Sequence, residues 1–144
     1  MNSFTLERTV LPEHLDTLNH VNNVQYLYWV QGAAQAHWEA LTVHSVLHFH
    51  TWVVRSHHIE YKQPAQLGDE LLLTTYVKAS KGFLSERIVE IAVKQTHTLL
   101  ARCSTQWCYL NKDSRKLERI PQEVLELLGS WPHACNTFKV VVRH

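Results

Sequence analysis

Cysteine is scarce in this chain: Cys103, Cys108 and Cys135 are three among 144 residues. The number is odd and no paired CxxC arrangement occurs, which argues against a disulfide framework and against a cysteine-based zinc site. An excess of charge of one sign is also missing, since 14 Lys and Arg stand against 13 Asp and Glu for a formal net charge of +1. That balance gives no broad electrostatic case for a nucleic-acid or membrane-surface partner. No apolar run approaches membrane-spanning length, and the opening segment MNSFTLERTV carries Glu7 and Arg8 where a signal peptide would need an uninterrupted apolar stretch. The expectation is a soluble, cytoplasmic protein. Repeats, low-complexity segments and linkers are lacking, so a single domain over residues 1–144 is expected, and 45% apolar content is enough for one core. Eleven histidines invite a metal hypothesis at His44, His48 and His50. No HExxH or comparable ligand spacing supports it, and His57 and His58 fall on opposite faces of a strand, so no metal is expected.

Periodicity orders the chain as strand, helix, then four strands. Phe4, Leu6 and Val10 alternate with Thr5, Glu7 and Thr9, the mark of a half-buried strand. From Val24 to about Leu41, the residues Leu27, Val30, Ala34, Trp38 and Leu41 recur at helical steps, with Gly32, Ala33, Ala34 and Ala36 keeping the middle narrow. Residues 51–61 read as a strand that stops near Pro64, which cannot donate a ladder hydrogen bond, and Gly68-Asp69 turns the chain. Leu71, Leu73, Thr75 and Val77 share one face of the next strand, which Lys81-Gly82 ends. Arg87, Val89, Ile91 and Val93 alternate with Ile88, Glu90, Ala92 and Lys94, and Ala101, Cys103, Thr105, Trp107 and Tyr109 oppose Arg102, Ser104 and Gln106. Trp29, Trp38, Trp52 and Trp107 read as core or interface aromatics. Pro121, the apolar set Val124, Leu125, Leu127 and Leu128, and Gly129 suggest a short C-terminal helix. Residues 130–144 form a C-terminal extension open to three readings: a surface strand, an interface element or a disordered tail. One amphipathic helix against several antiparallel strands is an α+β pattern.

The densest polar segment is DTLNHVNNVQY at residues 16–26, which packs Asp16, Asn19, His20, Asn22 and Asn23 together just before the long helix. Asp and Asn favour turns and helix N-caps, so these residues can be read as a capping segment; equally, an acid, an imidazole and carboxamides at a helix start can serve chemistry.

These residues carry a resemblance. Asp16, His20, Val21, Asn22, Asn23 and Tyr26 are similar to the signature of hotdog-fold acyl thioesterases, the 4-hydroxybenzoyl-CoA thioesterase family and its acyl-ACP thioesterase relatives. A second block, IEYKQPAQLGDELLL from Ile59 to Leu73, resembles the same family's next landmark, and the resemblance extends over roughly residues 4 to 112. It implies a hotdog fold, an antiparallel five-stranded sheet wrapped around one long helix. It also implies hydrolysis of acyl-CoA or acyl-ACP without metal or organic cofactor, with Asp16 as nucleophile or general base. The backbone N–H of Asn23 would be the oxyanion donor, and His20 would orient substrate or water. Asn22, Tyr26, Lys81 and Ser85 would contact substrate, the last two from the KASKGFLS segment beside the pantetheine and nucleotide tail; Tyr26 is open between packing residue and pocket wall. A homodimer or homotetramer with sites shared between chains is implied as well. Leu18 departs from the acyl-ACP thioesterase pattern, which has asparagine two residues after the acid, and the glycine pair of the 4-hydroxybenzoyl branch is missing. A non-catalytic acyl-CoA-binding module is the alternative, and a hotdog hydratase fits the HVNN context less well.

Overall fold

The computed structural model describes residues 2–44, 51–129 and 138–143, the last segment and Asn2 by backbone only. Strand β1 (Asn2–Thr9) leads through a 3₁₀ turn (Pro12–His14) to helix α1 (Asn23–Leu41). Strands β2 (Trp52–Tyr61), β3 (Glu70–Lys81), β4 (Leu84–Val93) and β5 (Leu99–Tyr109) follow, then helix α2 (Gln122–Leu128) and strand β6 (Phe138–Arg143). The sheet runs β2-β5-β4-β3-β1-β6. Its first five strands pair antiparallel, as expected. The sixth is an addition: β6 lies parallel to β1, with Phe4 opposite Val140, and extends the expected five strands to six. Of the three readings of the C-terminal extension, residues 138–143 take the strand; residues 130–137 lie outside the described residues.

The alternation in the sequence becomes burial. Phe4, Leu6, Leu71, Leu73, Thr75 and Val77 all face inward and are at most 2% exposed. On α1 the inward face is Tyr26, Trp29, Val30, Ala33, Ala34, His37 and Trp38, spaced at helical steps, while Tyr28, Gln31, Gln35 and Glu39 face out. Thr42 ends the helix, its N–H and its hydroxyl both donating to Trp38 O at 3.0 and 2.7 Å. The narrow middle of α1 is the work of Ala33 and Ala34, which are buried against the sheet. Gly32 has no part in it, because a Cβ there would meet nothing within 4 Å. Pro121 sits one residue before α2, as its N-cap, and Gly129 closes that helix at φ 60°, a left-handed conformation that suits glycine.

Two apolar clusters fill the space between helices and sheet. One gathers Phe4, Leu6, Trp29, Val30, Leu71, Leu73 and Ile91 under the first half of α1; the other gathers Trp38, Trp52, Trp107, Tyr109, Val124 and Leu128 under its second half and α2. Ile120 N–H donates to Gly82 O at 2.9 Å and ties the approach to α2 to the β3–β4 turn.

This packing sets opposite expectations for neighbouring small residues of α1. Gly32→Ala should raise stability by about 0.5–1 kcal/mol, since the site is helical and open. Ala33→Leu should lower it by about 1–3 kcal/mol through overpacking. Urea unfolding of the two variants checks the pair; a shift of the same sign in both would contradict the packing described.

Candidate active site

Residues 15–21 fold back on themselves through a bridge between Leu15 and Val21. Inside it, Asp16 N–H donates to His20 O at 2.7 Å and Asn19 N–H donates to Asp16 O at 3.1 Å. Asn19 takes φ 61°, a left-handed conformation that asparagine tolerates better than most residues. The Asp16 carboxylate completes the loop: Oδ1 accepts the N–H of Leu18 at 2.9 Å and of His20 at 3.0 Å. These backbone donors, His20 first and Leu18 second, hold the Asp16 carboxyl below its ordinary value, so the group is an anion at neutral pH. Leu18, whose side chain is largely exposed, contributes its backbone N–H, so a leucine here satisfies the loop as well as an asparagine would.

The chain leaves this loop directly into α1. Asn22 is the N-cap and its Oδ1 accepts Val24 N–H at 3.0 Å, while its carbonyl takes Gln25 N–H at 2.8 Å. The first-turn donors are thereby divided. Val24 and Gln25 are satisfied, and the N–H of Asn23 meets no acceptor among the described residues. A free N–H at a helix N-terminus, reinforced by the helix dipole, can receive a developing oxyanion. The capping reading and the chemical reading of the motif are therefore compatible: Asp16 and Asn22 cap, and their capping leaves Asn23 N–H open.

Beside this start lies a cleft of about 250 Å³ lined by His20, Val21, Asn23 and Tyr26 on one side and Tyr61, Lys62, Gln63 and Pro64 on the other. Tyr26 is 3% exposed. Its hydroxyl accepts Ala65 N–H at 3.1 Å, and its ring meets Tyr61 and Trp29 edge to face at 5.3 and 5.6 Å between centroids. It is both packing residue and wall. Tyr61 donates its hydroxyl to Asn23 O at 3.3 Å, tying the end of β2 to the start of α1. Tyr61 to Pro64 were not singled out as site residues from sequence, although they sit within the second landmark block.

Of the residues expected at the site, His20, Asn23 and Tyr26 share the cleft, Asn22 caps the helix beside it, and Asp16 is exposed, bonded to the backbone of His20 and not itself part of the cleft lining. Lys81 and Ser85 do not join them within one chain. They lie at the far end of the β3–β4 hairpin, roughly 30 Å along β3 at ~3.3 Å per residue. Lys81 is exposed, whereas Ser85 is buried and accepts a hydrogen bond from Ser80 Oγ at 3.0 Å. Among the described residues no three of His, Cys, Asp and Glu converge as a metal site would require. His57 turns inward, with Nδ1 2.7 Å from Thr105 Oγ1, and His58 turns outward to Glu60 at 3.8 Å; His48 and His50 lie outside the described residues.

Residues 10–128 match the family model of the thioesterase-like superfamily. The long-chain acyl-CoA thioesterase FadM of Escherichia coli is 32% identical over 78 residues, which cover 48% of this chain and 54% of that protein, so the match spans about half of the relative's length. A 1,4-dihydroxy-2-naphthoyl-CoA thioesterase from Synechocystis superposes with a TM-score of 0.78 at 22% identity, over 92% of this chain and 99% of that one. A mutant 4-hydroxybenzoyl-CoA thioesterase complexed with 4-hydroxybenzoyl-CoA superposes with a TM-score of 0.76 at 14% identity, over 88% and 98%. These two likenesses carry the hotdog fold.

The loop geometry predicts the titration of Asp16. Its folded pKa is depressed, so the loop contacts are complete at neutral pH and are lost only as pH falls through that lowered value. Following the Asp16 carboxyl by NMR should give a midpoint below the ordinary aspartate value of 3.8; a midpoint at or above it would break the account of the loop. Asn22→Ala should cost about 1 kcal/mol as a lost N-cap, measured by urea unfolding.

Proposed function

The chain belongs to the thioesterase-like superfamily, and from that membership we propose that it hydrolyses acyl thioesters, releasing the free acid from acyl-CoA or acyl-ACP. The observation that carries this reading is the open Asn23 N–H at the start of α1, beside a cleft and next to a carboxylate held ionised. The thioester carbonyl enters the cleft with its oxygen toward the Asn23 N–H, which stabilises the negative charge of the tetrahedral intermediate. Asp16 acts on the carbonyl carbon from the loop, by one of two routes. In the first, a carboxylate oxygen attacks, the C–S bond breaks, the thiolate leaves and takes a proton from solvent, and water then cleaves the acyl-aspartyl anhydride. In the second, Asp16 takes a proton from a water that attacks directly. His20, on the cleft wall, orients substrate or water, and Asn22 and Tyr26 shape the wall that substrate meets.

The active unit is a homodimer or homotetramer. Strand β2 ends the sheet with ten residues whose outer edge no strand pairs among the described residues, while β6 covers the β1 edge. An open edge of that length is a template for a second chain. Antiparallel pairing of β2 with its copy would bring the Tyr61 end of one chain to the Trp52 end of the other. That is the end that holds the Lys81–Ser85 turn, because Trp52 pairs Tyr109 and Leu84 pairs Cys108. The turn would then lie about 15–20 Å to the side, three strand spacings away for Ser85 on β4 and four for Lys81 on β3, within reach of the long tail of a CoA or carrier-bound substrate. This supports Lys81 as a contribution from the neighbouring subunit, with the buried Ser85 acting behind it through its hydrogen bond to Ser80 in the same turn.

Thiol release from a panel of acyl-CoA lengths, one aromatic thioester and one acyl-ACP tests the activity. Asp16→Asn should lower kcat by at least about a hundredfold with the fold intact, as loss of a catalytic acid or base commonly costs ~10² to 10⁴; near-wild-type turnover would reject the assignment. A single turnover in heavy-oxygen water can label the Asp16 carboxylate only through the nucleophile route, with water opening the anhydride at its aspartyl carbonyl, so label found in the protein establishes that route. Mixing inactive Asp16→Asn chains with chains inactivated by Lys81→Glu should restore partial activity if sites are shared, and independent sites would stay inactive.

A further inference from the structure

Between the two apolar clusters the sheet carries a buried positive charge. Arg87 projects inward from β4 and is 5% exposed. Its Nη1 donates to His37 Nδ1 at 2.9 Å and to Thr75 Oγ1 at 3.0 Å. Neither partner is an anion. Thr75 passes its own proton to Ile88 O at 2.9 Å, and His37, with its pKa lowered to about 3 by burial and by the charge of Arg87, is neutral at pH 7. Burial lowers Arg87 itself to about 10, which leaves it charged at neutral pH. All 13 acidic side chains of the sequence fall among the described residues, and none of their ion pairs, with His58, Lys62, Lys94 and Arg102, involves Arg87. A buried charge without a counter-ion is costly unless something else supplies the opposite sign.

Arg87 lines a small cavity of about 20 Å³ among α1, β2, β4, β5 and α2. A cavity needs roughly 10–15 Å³ to hold one water, so this one has room for a water or an ion of similar size. Its polar groups are donors. Trp38 is 2% exposed and its Nε1–H meets no acceptor among the described residues. Ser85 accepts from Ser80, which leaves its own hydroxyl proton to be given elsewhere. The rest of the wall is formed by Ala34, Leu128 and the aromatic side chains of Trp52 and Trp107. A cation is repelled here, and a neutral water would leave the charge uncompensated. A single small anion satisfies the guanidinium, the indole and the hydroxyl together. The cavity lies roughly 20 Å from Asn23, counting ~1.5 Å per residue along α1 to Trp38.

We propose that this cavity binds one small monovalent anion, a halide or a carboxylate group, held by Arg87, the Trp38 indole N–H and the Ser85 hydroxyl. Occupancy neutralises the polar layer that separates the two halves of the core, so the anion is a structural ligand of the folded state.

The test uses the whole chain, exchanged into gluconate buffer at constant ionic strength and titrated with chloride, bromide, formate or butyrate. Thermal unfolding followed by circular dichroism should show Tm rising by several degrees and saturating with chloride, bromide or formate. A crystal grown with bromide should show anomalous density within hydrogen-bond distance of Arg87 and Trp38 Nε1. Arg87→Met removes both the charge and its need for a partner; replacing a buried charge by an apolar side chain often leaves stability unharmed, and its Tm should no longer respond. Trp38→Phe should weaken the anion about tenfold, as expected for one hydrogen bond to a charged group. Exclusion of butyrate identifies a closed site for free ions, whereas tighter binding of butyrate than formate identifies the carboxylate end of a longer molecule. A Tm response that fails to saturate, one that Arg87→Met retains, or bromide density absent from the cavity would overturn the proposal.

Discussion

The Asp16 carboxylate accepting the N–H groups of Leu18 and His20 is the constraint from which the candidate site follows. It closes the loop, sets His20 on the cleft wall and delivers the chain to Asn22 at the angle α1 requires. Asn22 then spends its side chain on Val24, and the one N–H left over, that of Asn23, is the donor proposed for the oxyanion. Charge and geometry are coupled here: the same two hydrogen bonds that shape the loop hold Asp16 ionised, as either proposed role demands.

Behind the site, the fold answers a different problem. A long helix lying on an antiparallel sheet should give one continuous apolar core, yet Arg87, His37, Thr75 and Thr105 form a polar layer across it. Each is buried; Arg87 bonds His37 and Thr75, and Thr105 bonds His57, with the first apolar cluster supporting α1 beneath the cleft and the second anchoring α2. Such a layer restricts the register of α1 on the sheet, because sliding the helix by one turn would separate His37 from Arg87. The rigidity of the helix start, and so the aim of the Asn23 N–H, rests on this docking.

Most of the strands and both helices were legible in the sequence because each buries one face against the core, so period two or a helical step appears in the residues themselves. Strand β6 stayed one of three open readings, since its Lys139-Val140-Val141-Val142 run has no alternation and its parallel partner lies at the other end of the chain. The motif from Asp16 to Tyr26 was legible because its polar residues act on their own neighbours, within four positions of one another. What depended on distant residues was not: Tyr61 reaches Asn23 across 38 positions and Arg87 reaches His37 across 50. The signal for Arg87 was present, an arginine in inward register with Val89 and Ile91, but its meaning needed the helix to be set against it. Lys81 and Ser85 show the limit most plainly, because their relation to the cleft is a question about two chains.

The central claim, that the acyl carbonyl is received at the start of α1, is tested most directly by a crystal structure with a non-hydrolysable acyl-CoA ketone analogue. The account predicts the ketone oxygen about 2.7–3.1 Å from the backbone nitrogen of Asn23, with the carbonyl carbon facing the Asp16 carboxylate. An analogue bound with its carbonyl away from Asn23 would contradict it.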